Sequence, residues 1–137
     1  MINKERTLII IKPDGIQKKL IGEIISRIER KGLKIRSIKM MNLSRELAEK
    51  LYEEHREKPF FINLVNFITS APIVVMIVEG EDIILTFRLM MGPTDSKNAQ
   101  PGTIRGDYGL NIERNIVHGS DSIKNAKREI LLFFPEE

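Results

Sequence analysis

The chain of 137 residues contains no cysteine and only two histidines, so covalent chemistry through a side chain has few places to go. One histidine, His118, lies in the run Asn115-Ile116-Val117-His118-Gly119-Ser120-Asp121. Ile116 and Val117 favour extended backbone, Gly119 permits a sharp turn, and Ser120 or Asp121 could cap a helix opening at Ser122. That places an imidazole at a strand-to-helix corner, held still yet accessible. The adjoining helix start offers free N–H groups and partial positive charge, both of which attract phosphate. Those seven residues alone argue more for a packed, satisfied histidine than for catalysis, and the rest of the chain reverses that balance.

The supporting side chains are cationic. Lys12 ends a strand before Pro13-Asp14-Gly15, which reads as a turn, Arg88 lies off the apolar stripe of a helix, and Arg105 sits in a long loop with Thr94. Taken singly, each reads as a solvated charge or loop decoration. No Gly-x-x-x-x-Gly-Lys-Ser/Thr run occurs, which excludes the commonest phosphate cradle.

The elements that must position these residues follow from hydrophobic period. Residues 7–12 and 72–79 are apolar on both faces and read as central strands of a sheet covered on at least part of each side. Residues 20–31, 45–55, 60–68, 82–91 and 122–134 carry helical stripes, the last with Ile123, Ala126, Ile130 and Phe133 inward. Residues 33–40 read as a strand whose apolar phase slips from Leu33 and Ile35 to Ile38 and Met40, which predicts a β-bulge near Arg36-Ser37. Phe60 falls off its helix's stripe, and an outward Phe invites stacking. Between residues 92 and 113, Pro93, Pro101, Gly102, Gly106 and Gly109 forbid a regular element, and so long an ordered loop is usually functional.

Without its small third helix this order is a β-α-β-β-α-β split unit. The expected fold is α+β: a ferredoxin-like sandwich with a four-stranded antiparallel sheet, helices on one face, and a long loop before the last strand. Length and the lack of any linker or repeat predict a single domain over 1–137.

Several blocks then converge. Lys12-Pro13-Asp14-Gly15, Gly92-Pro93-Thr94, Pro101-Gly102-Thr103-Ile104-Arg105-Gly106-Asp107 and Asn115-x-x-His118-Gly119-Ser120-Asp121-Ser122 resemble the nucleoside diphosphate kinase family. Gly22-Glu23-Ile24-Ile25, Lys31-Gly32-Leu33, Pro59-Phe60-Phe61 and Ala126-x-x-Glu129-Ile130 extend the resemblance over nearly the whole chain. It implies that ATP phosphorylates His118 and that the phosphohistidine passes its group to another nucleoside diphosphate. A neutral imidazole is both nucleophile and phosphoryl leaving group, so one geometry serves both half-reactions.

The resemblance also implies residue roles. Lys12 reaches the phosphates and ribose 3′-hydroxyl, Arg88, Thr94 and Arg105 the phosphates, Asn115 the sugar, and Phe60 the base, which it stacks without regard to type. Glu129 orients His118 and leaves its Nδ1 free, with Ser120 in support, and Tyr52 stands in the second rank with them. His55 reads either as a solvated residue or, as in some relatives, one near the phosphates. Mg²⁺ is expected on the nucleotide phosphates rather than in a protein cage. A homo-oligomer is expected, a hexamer in preference to a tetramer, although Ser96, where the family's loop often has proline, bears on that assembly. Lys18, Ile112 and Phe133 also depart from common family residues without removing a phosphate ligand.

Net charge of +3 and a pI near 9.2 suit a polyanionic partner without choosing among them. No run approaches a membrane span and the N-terminus is charged, so a cytoplasmic protein is expected. The Asn42-Leu43-Ser44 and Arg105-Gly106-Asp107 tripeptides are then chance matches to glycosylation and adhesion signals. A basic ferredoxin-like sandwich is also how RNA-recognition domains are built, but the central strands here carry no stacking aromatics, so nucleic acid is not expected. A silent regulatory relative is the other alternative, and the intact His118 argues against it.

Overall fold

The computed structural model describes residues 4–137. Four strands make one sheet: β1 (Lys4–Ile11), β2 (Lys34–Met41), β3 (Ile73–Glu81) and β4 (Val117–Gly119), in the order β2-β3-β1-β4 with every neighbouring pair antiparallel. The runs Leu8-Ile9-Ile10-Ile11 and Ile73-Val74-Val75-Met76-Ile77-Val78 are almost wholly buried, as the two central strands of a sheet covered on both sides must be.

Helices lie on both faces, which corrects the expectation of one. On one face Ile9, Ile11, Val74, Met76 and Val78 pack against α2 (Ile21–Arg30) and α5 (Ile83–Met91), the two crossovers of the split unit. On the other, Leu8, Ile10, Val75 and Ile77 pack against α3 (Arg45–Leu51), α4 (Phe61–Ile68) and α7 (Ile123–Phe133). Strand alternation sends successive side chains to opposite faces, so a continuous apolar run demands two covers. Each fully buried Ile or Leu adds about 1.5–3 kcal/mol of transfer free energy.

The bulge is present, with register shifting between Ile35 and Ser37 opposite Val78 and Ile77. Beyond it, Ile38 and Met40 are exposed on the edge strand. Two short helices stand in place of the expected turn and within the expected loop. α1 (Pro13–Gln17) begins with proline at its first position, where the missing N–H costs nothing. α6 (Ile104–Tyr108) is capped by the Thr103 hydroxyl, which accepts the Gly106 N–H at 2.9 Å. A single 3₁₀ turn, Ser96–Asn98, also interrupts the stretch.

Two details of the last helix differ from expectation. Ser122, not Ser120 or Asp121, caps α7, accepting the Asn125 N–H at 3.0 Å. Ile123, the first residue of the helix, is exposed, while Ala126, Ile130 and Phe133 are buried as read. The helix read over 45–55 is split: α3 stops at Leu51, and Glu53–His55 continues as a 3₁₀ turn. At Gly119 an added Cβ would stand 2.7 Å from Cδ2 of Phe87, so β4 needs glycine there to lie against α5.

Candidate active site

β4 carries His118 outward from the middle of its pairing with β1, opposite Ile10. The ring is partly exposed, and its Nε2 stands 2.9 Å from Oε1 of Glu129, on the inner side of α7. The Ser120 hydroxyl donates to the same oxygen at 2.8 Å and accepts the Leu8 N–H at 3.1 Å, tying the carboxylate to the sheet. Burial works to raise the Glu129 pKa, but His118, Ser120 and Arg128 carry it below the ordinary value. An ionised carboxylate fixes the imidazole proton on Nε2 and leaves the lone pair on Nδ1, which has no hydrogen bond among the described residues.

In front of the ring lies a cleft of about 470 Å³, within the range of small-ligand sites. Every nucleotide-contact candidate lines it: Lys12, Phe60, Arg88, Thr94, Arg105 and Asn115. Tyr52, His55 and Glu129 line it too, while Ser120 stands behind Glu129. Phe60, the residue before α4, is 42% exposed at the mouth, so a ring face is accessible for stacking. Lys58 lies over that ring at 5.9 Å and His55 is tilted against it at 5.4 Å.

The cationic wall is built on backbone. Lys12 is buried, and its Nζ donates to Oδ1 of Asn115 at 2.9 Å. The Asn115 amide in turn donates to the carbonyls of Thr94 at 2.9 Å and Ile112 at 3.1 Å. Burial, followed by the nearby Arg105 charge, lowers the Lys12 pKa to about 8, with Asp14 opposing. Arg105 spends three of its N–H groups on carbonyls: Nε on Asn115 at 3.2 Å, Nη1 on Gly92 at 3.0 Å and Nη2 on Val117 at 2.8 Å. Burial and then Arg88 lower its pKa to about 10. Burial and the charge of Glu129 push the Tyr52 phenol up. A site that desolvates two cations, Lys12 and Arg105, beside one imidazole and sets Arg88 at the same cleft is prepared for a polyanion.

Sequence reasoning passed over two features. Asp14 read as a turn residue, yet it is buried and accepts the Ile116 N–H at 3.0 Å. Ile116 read as ordinary strand, yet its φ is +75°. The Arg105-Gly106-Asp107 tripeptide serves the fold, since Asp107 accepts from Arg27 at 2.7 Å and from the Gly102 N–H at 2.9 Å. No three His, Asp or Glu side chains converge as a metal cage among the described residues. No helix among them is long and apolar enough to cross a membrane.

Comparison with known proteins agrees with this geometry. The family model described as nucleoside diphosphate kinase matches residues 5–137. A nucleoside diphosphate kinase of Carboxydothermus hydrogenoformans is 59% identical over 133 residues, spanning 97% of this chain and 89% of that protein. The crystal structure of the Aquifex aeolicus nucleoside diphosphate kinase superposes with a TM-score of 0.94 at 42% identity, covering 96% of each chain. A halophilic nucleoside diphosphate kinase from Halobacterium salinarum, solved in complex with CDP, superposes at 0.93 with 50% identity, covering 96% of this chain and 88% of its own. With a matching family model over almost its full length and relatives of this identity, the chain belongs to the nucleoside diphosphate kinase family.

Proposed function

We propose that this chain moves the γ-phosphoryl group of a nucleoside triphosphate, mainly ATP, to nucleoside diphosphates by a ping-pong route through a phosphohistidine on His118, so maintaining NTP and dNTP pools. The observation that carries the reading is the Glu129–His118 pair, with Nε2 engaged and Nδ1 unbonded at the cleft wall. The Nδ1 lone pair attacks the γ-phosphorus, the bond to the β–γ bridging oxygen breaks, and ADP leaves with that electron pair. As the N–P bond forms the ring acquires positive charge, which Glu129 offsets. A terminal oxygen of the incoming diphosphate then reverses the sequence, and His118 is regenerated.

Lys12, Arg88, Thr94 and Arg105 are assigned to the phosphates, Asn115 and Lys12 to the sugar, and Phe60 to the base; Tyr52, Ser120 and Glu129 support the histidine. The CDP bound to the Halobacterium salinarum relative supports a diphosphate in the cleft. Mg²⁺ would arrive with the nucleotide substrate, not in a cage of protein carboxylates, and would supply charge neutralisation at the phosphates. The whole of 1–137 acts as one kinase domain, in the cytoplasm. Ile38 and Met40, exposed on the edge strand β2, support assembly into a homo-oligomer, a hexamer in preference to a tetramer.

Labelled ATP tests the mechanism. The protein should take up one acid-labile, base-stable phosphate on His118, exchange kinetics should give parallel lines, and His118→Gly should lose label and exchange while keeping its circular dichroism spectrum. Intersecting lines, or near-normal exchange by His118→Gly, would overturn the reading.

A further inference from the structure

Asp14 is only 4% exposed, in the short helix α1 that follows the cleft residue Lys12. Its Oδ2 accepts the Ile116 N–H at 3.0 Å, and its Oδ1 is buried with no hydrogen-bond partner among the described residues. A buried carboxylate oxygen left unpaired costs stability, and neither apolar cluster of the core needs this acid.

Ile116 is the residue that needs holding. A β-branched side chain at φ +75° is disfavoured and persists only where its surroundings impose it. The Val117 N–H donates to the Asn115 carbonyl at 2.8 Å, closing a three-residue γ-turn of the strained, positive-φ kind about Ile116. The Lys12 N–H donates to the Ile116 carbonyl at 2.8 Å, so both backbone groups of Ile116 end on residues 12–14. Arg105 holds the carbonyls on either side of Ile116. Gly15 completes the fit, since a methyl group there would lie 3.2 Å from the Ile116 carbonyl oxygen and 2.9 Å from Cγ2 of Ile11.

The turn decides where its neighbours point. Asn115, which binds the Lys12 amine, precedes it, and His118 follows two residues later. We infer that Asp14 is a positioning residue for phosphoryl transfer: its carboxylate clamps the Ile116 turn and thereby sets Asn115 with Lys12 on one side and His118 on the other. This rests on the reading of His118 as nucleophile. The charge of Asp14 acts in the same sense, opposing the loss of protons that burial imposes on Lys12 and Arg105.

Three variants test it: Asp14→Ala, Asp14→Asn and Gly15→Ala, each measured per folded molecule. Asp14→Ala is expected to slow single-turnover phosphorylation of His118 by about 100-fold, the scale of a displacement near 1 Å, with a loss of ADP affinity about tenfold smaller. Asp14→Asn keeps an acceptor oxygen and should restore most of that rate, together with the slow hydrogen exchange of the Ile116 amide that Asp14→Ala loses. A wild-type rate, equal losses of rate and affinity, or unchanged Ile116 protection in Asp14→Ala overturns the proposal. Should Asp14→Ala not fold, Gly15→Ala presses on the carbonyl and side chain of Ile116 in the same turn without touching the Asp14 carboxylate, and its phosphorylation at the wild-type rate would be equally fatal. If the wild-type protein itself takes no phosphate on His118, the functional reading fails instead, and Ile116 amide exchange still decides whether Asp14 holds the turn.

Discussion

His118 and Ser120 share a single oxygen of Glu129: Nε2 of the imidazole lies 2.9 Å from Oε1, and the serine hydroxyl donates to that same Oε1 at 2.8 Å. The carboxylate is therefore aimed from behind by a hydroxyl that is itself fixed to β1 through the Leu8 N–H. An amide in its place can turn its NH₂ toward the ring and stabilise the wrong tautomer. Glu129→Gln should lower kcat by about 10–100-fold with little change in diphosphate affinity, the pattern of a lost orienting contact. Steady-state kinetics beside ADP calorimetry will show it, and a loss confined to affinity would contradict it.

The acid–base behaviour of Lys12 gives a second expectation. With its pKa lowered to about 8, chiefly by burial, kcat/KM for a diphosphate should fall as pH rises past about 8. Lys12→Gln should be slow and lack that limb. The linkage to stability has the opposite sense. Below about pH 8 the folded and unfolded chains both hold this proton; between about 8 and the ordinary lysine value of 10.5 only the unfolded chain does, so the Lys12 contribution to stability rises with pH across that window. Chemical denaturation of wild type and Lys12→Met at about pH 7 and about pH 9, roughly one unit either side of the folded value, isolates the difference.

Arg105→Ala removes more than a phosphate contact. Carbonyls of Gly92, Asn115 and Val117 lose their donor together, and each one left without water costs about 1–3 kcal/mol. Phosphotransfer should slow more than ADP binding weakens, and the thermal midpoint should fall as well. An unchanged midpoint would mean that water replaces the guanidinium at those carbonyls.

Phe60→Ala should weaken ADP, GDP and CDP by about the same amount, roughly 1–3 kcal/mol, because every base offers a stacking face. Calorimetry with the three diphosphates measures this directly, and a loss confined to one base would argue for edge recognition instead. The exposed position of Phe60 makes the fold indifferent to the change.

Much of this architecture was legible in the chain because its signals are periodic. The slip from Ile35 to Ile38 located the bulge, and the off-stripe position of Phe60 put it at the cleft mouth. Local rules failed where a short element obeys them differently. Pro13 and Gly106 look like breakers, but a five-residue helix tolerates proline at its first position and glycine within a capped turn. The doubly apolar β1 already implied two covers, yet the split-unit pattern assigns helices to one face because α3, α4 and α7 lie outside its repeat. Asp14 was invisible for another reason: its partner Ile116 is 102 positions away, and no window of sequence contains both.

That separation has a kinetic consequence. Lys12 meets Asn115 across 103 positions and Leu8 meets Ser120 across 112, so the surroundings of the histidine exist only once the first strand has found the last. Closures of such high contact order come late in folding, after the local helices have formed. During refolding, competence to accept phosphate should therefore trail the return of helical circular dichroism, and a chain bearing the phosphoryl group is one whose two ends have already met.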